Sequence, residues 1–136
     1  MFQEIPLDEH GIRGVTPAHL LLREGVNCSL STNNVLNPFT PFGDCSLIRM
    51  ANLYANAAQL GTPDGMSACF DMVTRDPATL MRLSDYGIAV GHPADIVVLD
   101  CTDVVSAVAE LAQPVMGFKR GRMSFSHPEA VIHYPS

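Results

Sequence analysis

The stretch TRDPATLMRLSDYGIAVGHPADIVVLD, residues 74–100, decides how the rest of the chain is read. Asp76-Pro77 pairs an acceptor side chain with a residue whose φ is already helical, and predicts a capped short helix running through Leu83. The period then changes. Gly87, Gly91 and Pro93 interrupt any helix, and the run Ile96, Val97, Val98, Leu99 predicts a strand buried on both faces. Downstream, Asp103 opens another short helix with Val104, Val108 and Leu111 inward. Residues 115–119 and 122–126 flank Arg120-Gly121, a hairpin signal, and the residues from His127 read as a trailing tail.

Upstream of Thr74, a helix is predicted from about Pro63, with Met66, Cys69, Phe70 and Val73 at inward spacing. Residues 46–60 carry the clearest helical period. Arg49, Asn52, Asn56 and Gln59 fall on one polar stripe, while Leu47, Met50, Leu53, Tyr54, Ala57 and Leu60 form an apolar arc wide enough to predict heavy burial. Asp44 is its expected N-cap, and Gly61 with Pro63 its stop. Between them and the start of the chain, VLNPFTPFGD contains Pro38, Pro41 and Gly43 and cannot be regular, yet its Phe39 and Phe42 suggest a loop pinned over something. Residues 26–30 predict a short strand ended by Ser31, Thr32, Asn33 and Asn34, and Thr16, Pro17 and Gly25 bracket a helix before it. Residues 1–11 carry no sustained period and stay unassigned. A strand at 26–30 has no neighbour nearby in sequence. It pairs with the distant strands, or its partners lie on protein that this chain lacks.

At 136 residues the chain suffices for one modest domain. Its 47% hydrophobic against 16% charged residues excludes disorder and predicts a surface that is partly covered. With 8 basic and 14 acidic residues the formal charge is −6, and the basic cluster Lys119, Arg120 and Arg122 is too small to track a phosphate backbone, so no nucleic-acid partner is expected. No apolar run approaches the roughly 20 residues of a membrane span. The start, MFQEIPLDEH, has acids where a secretory signal has a basic segment, so a cytoplasmic location is expected. Cys28, Cys45, Cys69 and Cys101 stand singly, and are expected as buried, reduced thiols. No P-loop, dinucleotide fingerprint or nucleophile elbow is present.

Residues 74–100 resemble the segment by which metal-dependent amidohydrolases leave their catalytic barrel and enter a small β-sandwich. Thr74, Pro77, Ala78, Leu80, Asp85, Gly87, Ile88, Gly91, Ala94 and Asp95 carry the resemblance. IRGVTPAHLLLREGVNCSLSTNNVLNPFTPFGD, residues 12–44, is similar to the matching stretch of the cytosine deaminase group, with its R-G-V helix and P-F-G loop. The resemblance implies an α/β fold: the C-terminal fragment of a (β/α)8 TIM barrel, with its site at the C-terminal ends of the strands, plus part of the flanking β-sandwich. Residues 12–83 would be the last helix-strand-helix portion of the barrel, and 84–136 the sandwich segment with a short helix.

The family's chemistry implies zinc or iron to activate water and a carboxylate to move the proton. It implies a small nitrogenous-ring substrate. The ligand set is spread along the family's chain and begins with an H-x-H pair. His10, His19, His92, His127 and His133 form no such pair, so no metal ligand and no cofactor is expected for this chain alone. The family's metal-ligand aspartate maps to Asn33, whose neutral amide is a weaker ligand and no base near neutral pH. Asn34 maps to a substrate-contacting position, and Phe39 to an aromatic that walls the pocket. As residues, Asn33 and Asn34 read equally well as caps on a strand end. Three functional expectations therefore stand side by side: an amidohydrolase portion that is silent alone, a non-catalytic module completed by another chain or by self-association, and an independent small binding protein that reuses the Asn/Phe loop as a pocket.

Overall fold

The structure, a computed structural model, describes residues 14–32, 34–38 and 40–128. The unassigned segment 1–11, His10, His133, Asn33, Phe39 and the tail beyond Pro128 lie outside the described residues. In chain order the elements are helices Ala18–Arg23 (α1), Leu47–Ala57 (α2), Pro63–Asp71 (α3) and Arg75–Leu80 (α4), strand Ile96–Leu99 (β1), helix Val104–Ala109 (α5), and strands Pro114–Lys119 (β2) and Arg122–Ser126 (β3). The result is a mixed α/β arrangement, with a helical body and a three-stranded antiparallel sheet in the order β1-β2-β3.

Local chemistry explains where the helices begin and end. Ser46 caps α2 by accepting the Arg49 N–H at 3.2 Å. Asp44, the expected cap, lies two residues too early. It accepts the Ser46 N–H at 3.0 Å and pairs with the Arg49 guanidinium at 2.7 Å. Helix α2 also ends before Gly61: Gln59 turns left-handed at φ 55°, and the Leu60 N–H closes back on the Ala55 carbonyl. Thr62 caps α3 through the Gly65 N–H, as the Thr-Pro step requires. Asp76 is no cap either. It lies inside the first turn of α4, while Thr74 at the cap position donates its hydroxyl to the Phe70 carbonyl. Likewise Pro17, not Thr16, occupies the cap position of α1. Asp103 caps α5 as expected, with Ser106 returning the bond to complete a capping box.

The core joins Ala18, Ala51, Tyr54, Ala55, Cys69, Met72, Val73 and Val108, so α1, α2, α3 and α5 meet in one apolar cluster. Met66 and Phe70 pack against it, in line with the inward spacing of α3. On α2 the burial is narrower than the apolar arc predicts. Ala51, Tyr54 and Ala55 are buried, but Leu53 is 58% exposed, because the described residues place no element over that side. The polar stripe is not a solvent face throughout: Asn52 Nδ2 donates to the Val108 carbonyl at 2.9 Å and ties α2 to α5.

The expected strand at 26–30 is extended but belongs to no sheet among the described residues. Its Leu30 N–H donates to the Met72 carbonyl and Asn27 Nδ2 to the Asp76 carbonyl. Among the described residues it does not pair with the distant strands, which form a three-stranded sheet of their own. β1 is not buried on both faces as its apolar run predicts: Val97 and Val98 are exposed. Its strands contact one another far more than the helices, so no second layer covers them among the described residues. The expected hairpin forms, and Phe125 lies over Gly117 so closely that a Cβ there would fall 2.2 Å from the ring.

The hairpin turn places both Arg120 (φ 49°) and Gly121 (φ 74°) in the left-handed region. Arginine is strained there, whereas asparagine tolerates it. The Arg120→Asn variant keeps the backbone N–H that donates to Asp95 Oδ1 and should gain about 1 kcal/mol in stability. Urea titration checks this, and an unchanged or lower midpoint contradicts it.

Candidate functional site

The segment that carries the expected site residues is held from below by the helical body. Cys28 and Leu30 pack on the core, and the two hydrogen bonds to Met72 and Asp76 tie the segment to the α3–α4 junction. Helix α1, which feeds this segment, is fastened by Tyr54. The buried phenol donates to the Thr16 carbonyl at 3.2 Å and accepts the His19 N–H at 3.1 Å, with His19 Nδ1 at 2.9 Å.

Beyond Leu30 the chain folds on itself. Thr32 donates its hydroxyl to the Asn34 carbonyl at 2.9 Å. Asn37 Nδ2 donates to Asn34 Oδ1 at 2.8 Å, and Asn37 Oδ1 accepts the Thr40 N–H at 3.0 Å. Asn37 and Thr40 also exchange backbone bonds, each at 3.1 Å, and the Leu36 N–H reaches the Phe42 carbonyl. Asn34 is half-buried. Of the three expected site residues, Asn34 is therefore placed in a hydrogen-bonded loop, while Asn33 and Phe39 fall outside the described residues. Phe42, expected to pin the loop, is 74% exposed. Asn37 was not among the expected residues; the Asn-Pro step at 37–38, a turn-initiating pair, is the sequence signal that could have found it.

Among the described residues no group of three His, Cys, Asp or Glu side chains could hold a metal ion. The described donor set does not by itself make a zinc or iron centre. His92 Nδ1 lies 3.2 Å from the Gly87 carbonyl and His127 Nδ1 3.2 Å from that of Pro128, both in exposed positions. Cys69 is buried and burial pushes its thiol up, which suits packing rather than nucleophilic use; Cys45, by contrast, is exposed. A separate cleft of about 380 Å³ opens where α2, α3 and α5 meet, among Asn52, Asn56, Gln59 and Met66, and shares no residue with the 31–44 loop. No helix among the described residues is long and apolar enough to cross a membrane.

Three exposed carboxylates are held below their usual range. The Arg49 guanidinium and the Ser46 N–H hold Asp44 down to about 2, Lys119 and the Arg120 N–H lower Asp95, and the Ser106 N–H and hydroxyl lower Asp103. A lowered folded pKa favours the ionised form in the fold, so this stabilisation is complete above the unfolded carboxylate range and is lost as pH falls through the folded values. Urea midpoints should thus fall from about pH 4 towards about pH 2, and Asp44→Asn should flatten that fall. Midpoints independent of pH across this window contradict the assignment.

The sequence pattern of the amidohydrolase family matches residues 1–125, and the chain belongs to that family. Over 108 residues it is 28% identical to N-isopropylammelide isopropyl amidohydrolase of Pseudomonas sp. (strain ADP), a span that is 79% of this chain and 27% of that protein. It is 34% identical over 86 residues to pterin deaminase of Rhizobium rhizogenes (strain K84 / ATCC BAA-868), covering 62% of this chain and 19% of that one. Among solved structures, 5-methylcytosine deaminase from Klebsiella pneumoniae, liganded with phosphonocytosine, superposes with a TM-score of 0.82 at 28% identity. That match covers 89% of this chain and 30% of the deaminase. N-isopropylammelide isopropylaminohydrolase from Burkholderia multivorans ATCC 17616 shares the fold at a TM-score of 0.61 and 24% identity, covering 65% and 23%. The chain thus spans about a quarter of the length of the relatives it matches.

Proposed function

We propose that this chain is the C-terminal portion of a cytosine-deaminase-like amidohydrolase, a hydrolase of non-peptide C–N bonds in cyclic amidines, and that it is catalytically silent alone. The supporting observation is the superposition on 5-methylcytosine deaminase over 89% of this chain but 30% of the deaminase. In this reading residues 12–83 are the end of a (β/α)8 barrel and 84–136 part of its flanking sandwich. The extended segment 26–30 is the last barrel strand, whose ladder partners would be the preceding strand and the first strand, which closes the barrel. Asn34 and Phe39 contribute to the wall around a small nitrogenous ring, and Asn33 stands where the family's aspartate would bind zinc or iron. A neutral amide there neither charges the site nor takes a proton from water. The location is cytoplasmic, with neither a nucleic acid nor a membrane as partner.

Purified chain supplied with Zn²⁺ or Fe²⁺ and offered cytosine or a related ring should show no turnover above the metal alone. Turnover comparable to that of the full-length relatives would overturn the proposal. A second reading, an assembly module completed by another chain or by self-association, is favoured by the exposed apolar side chains of both layers, Leu20, Leu53, Val97 and Met123 among them. A clean monomer in sedimentation velocity over a broad concentration range counts against self-association.

A further inference from the structure

We infer that Asn37 is a positioning residue that fixes the direction of the Asn34 carboxamide, so that the site presents two N–H donors and takes a ring by an acceptor edge, an oxo group or an unprotonated ring nitrogen. The inference rests on the reading that Asn34 faces the ligand. Carboxamide oxygen and nitrogen look alike in shape, yet here one backbone group orders the chain of bonds. The Thr40 N–H can only donate, so the Asn37 atom 3.0 Å from it is the oxygen. The other end of Asn37 is then the NH2, which can only donate, and its neighbour at 2.8 Å is Asn34 Oδ1. Asn34 Nδ2 is left turned from Asn37, with neither hydrogen bonded among the described residues.

This polarity is set from two sides. The Asn37–Thr40 backbone pair fixes the donor that starts the sequence, and the Thr32 hydroxyl holds the Asn34 backbone from the other side. Reversing Asn34 would place NH2 against NH2, two donors face to face in a half-buried loop. A ring that offers N–H or NH2 at this edge meets the same conflict, whereas a carbonyl oxygen or a bare ring nitrogen accepts from Asn34. Discrimination by a polar group left without its partner is large compared with that of an apolar wall.

The test uses the whole chain with ¹³C,¹⁵N-labelled asparagine. A scalar coupling across the hydrogen bond from the Asn37 NH2 to Asn34 Cγ is expected; the reverse coupling, from the Asn34 NH2 to Asn37 Cγ, or no coupling, overturns the role of Asn37. Cytosine, with its adjacent O2 and N3 acceptors, should shift the Asn34 NH2 resonances, and benzamidinium, which offers only donors, should not. Asn37→Asp keeps the acceptor for Thr40 but cannot donate to Asn34, and should weaken cytosine binding at least about tenfold. Asn34→Asp keeps the bond from Asn37, removes both donors and should lose the cytosine response; it guards against a folding defect in the first variant. Equal shifts with both probes, or N37D and N34D binding cytosine like the unaltered chain, overturn the acceptor-edge assignment. An intact coupling with no cytosine response at Asn34 instead overturns the reading that Asn34 faces the ligand, and the edge assignment with it.

Discussion

Replacing Met72 by alanine should cost about 2–5 kcal/mol of stability. Met72 is fully buried and is among the largest such side chains in the described structure. The core cluster it belongs to includes Ala18, Ala51 and Ala55, which have no side-chain freedom with which to refill the space, and the more of the cavity that stays open, the higher the cost within that range. None of the helices among the described residues exceeds 11 residues, too short to persist in water without packing, so lost core energy becomes lost helix. The damage reaches the candidate site because the Met72 carbonyl holds the Leu30 N–H. Urea unfolding followed by far-ultraviolet circular dichroism measures the effect, with Met72→Leu as the volume-conserving control expected to lose less than about 1.5 kcal/mol. A loss below about 1 kcal/mol for the alanine variant would mean that this core is not what holds the helices together.

Val108→Asp should be more damaging still, at more than about 4 kcal/mol. Val108 is 1% exposed and is the contribution of α5 to the shared core. The cluster around it is built of apolar side chains, so a carboxylate there is either buried among them or drawn out to water, taking α5 off α2 and α3. The bond from Asn52 Nδ2 to the Val108 carbonyl goes with it. Hydrogen exchange should report loss of protection across 104–109 together with α2 and α3, while the sheet of β1, β2 and β3, which contacts mainly itself, keeps its pattern. Val104→Asp, on the exposed side of the same helix, should stay within about 0.5 kcal/mol. Equal effects at the two positions would contradict the packing of α5.

Several elements were legible from local chemistry. The inward spacing of Met66, Cys69, Phe70 and Val73, the Asp103 cap and the Arg120-Gly121 hairpin depend on residues a few positions apart. The caps at Ser46 and Thr74 were each missed by two residues, since neighbouring Ser, Thr and Asp are alike suited to the cap position and only the helix phase chooses among them. Burial was misread for β1 and for the apolar arc of α2 for a different reason. Hydropathy shows which surfaces are fit to be covered, and the described residues cover only part of them.

For the candidate site the division is sharper. Sequence by itself determined the amidohydrolase pattern, the lack of an H-x-H pair and the amides at positions 33 and 34, because these are matters of residue identity and spacing. Only the tertiary structure decided that residues 26–30 are tied to Met72 and Asp76, and that Asn37 donates to the oxygen end of the Asn34 carboxamide. The physical reason is that a carboxamide is donor and acceptor in one. Its direction is undefined until a group that can only donate, here the Thr40 N–H, is brought against it by the fold of the loop.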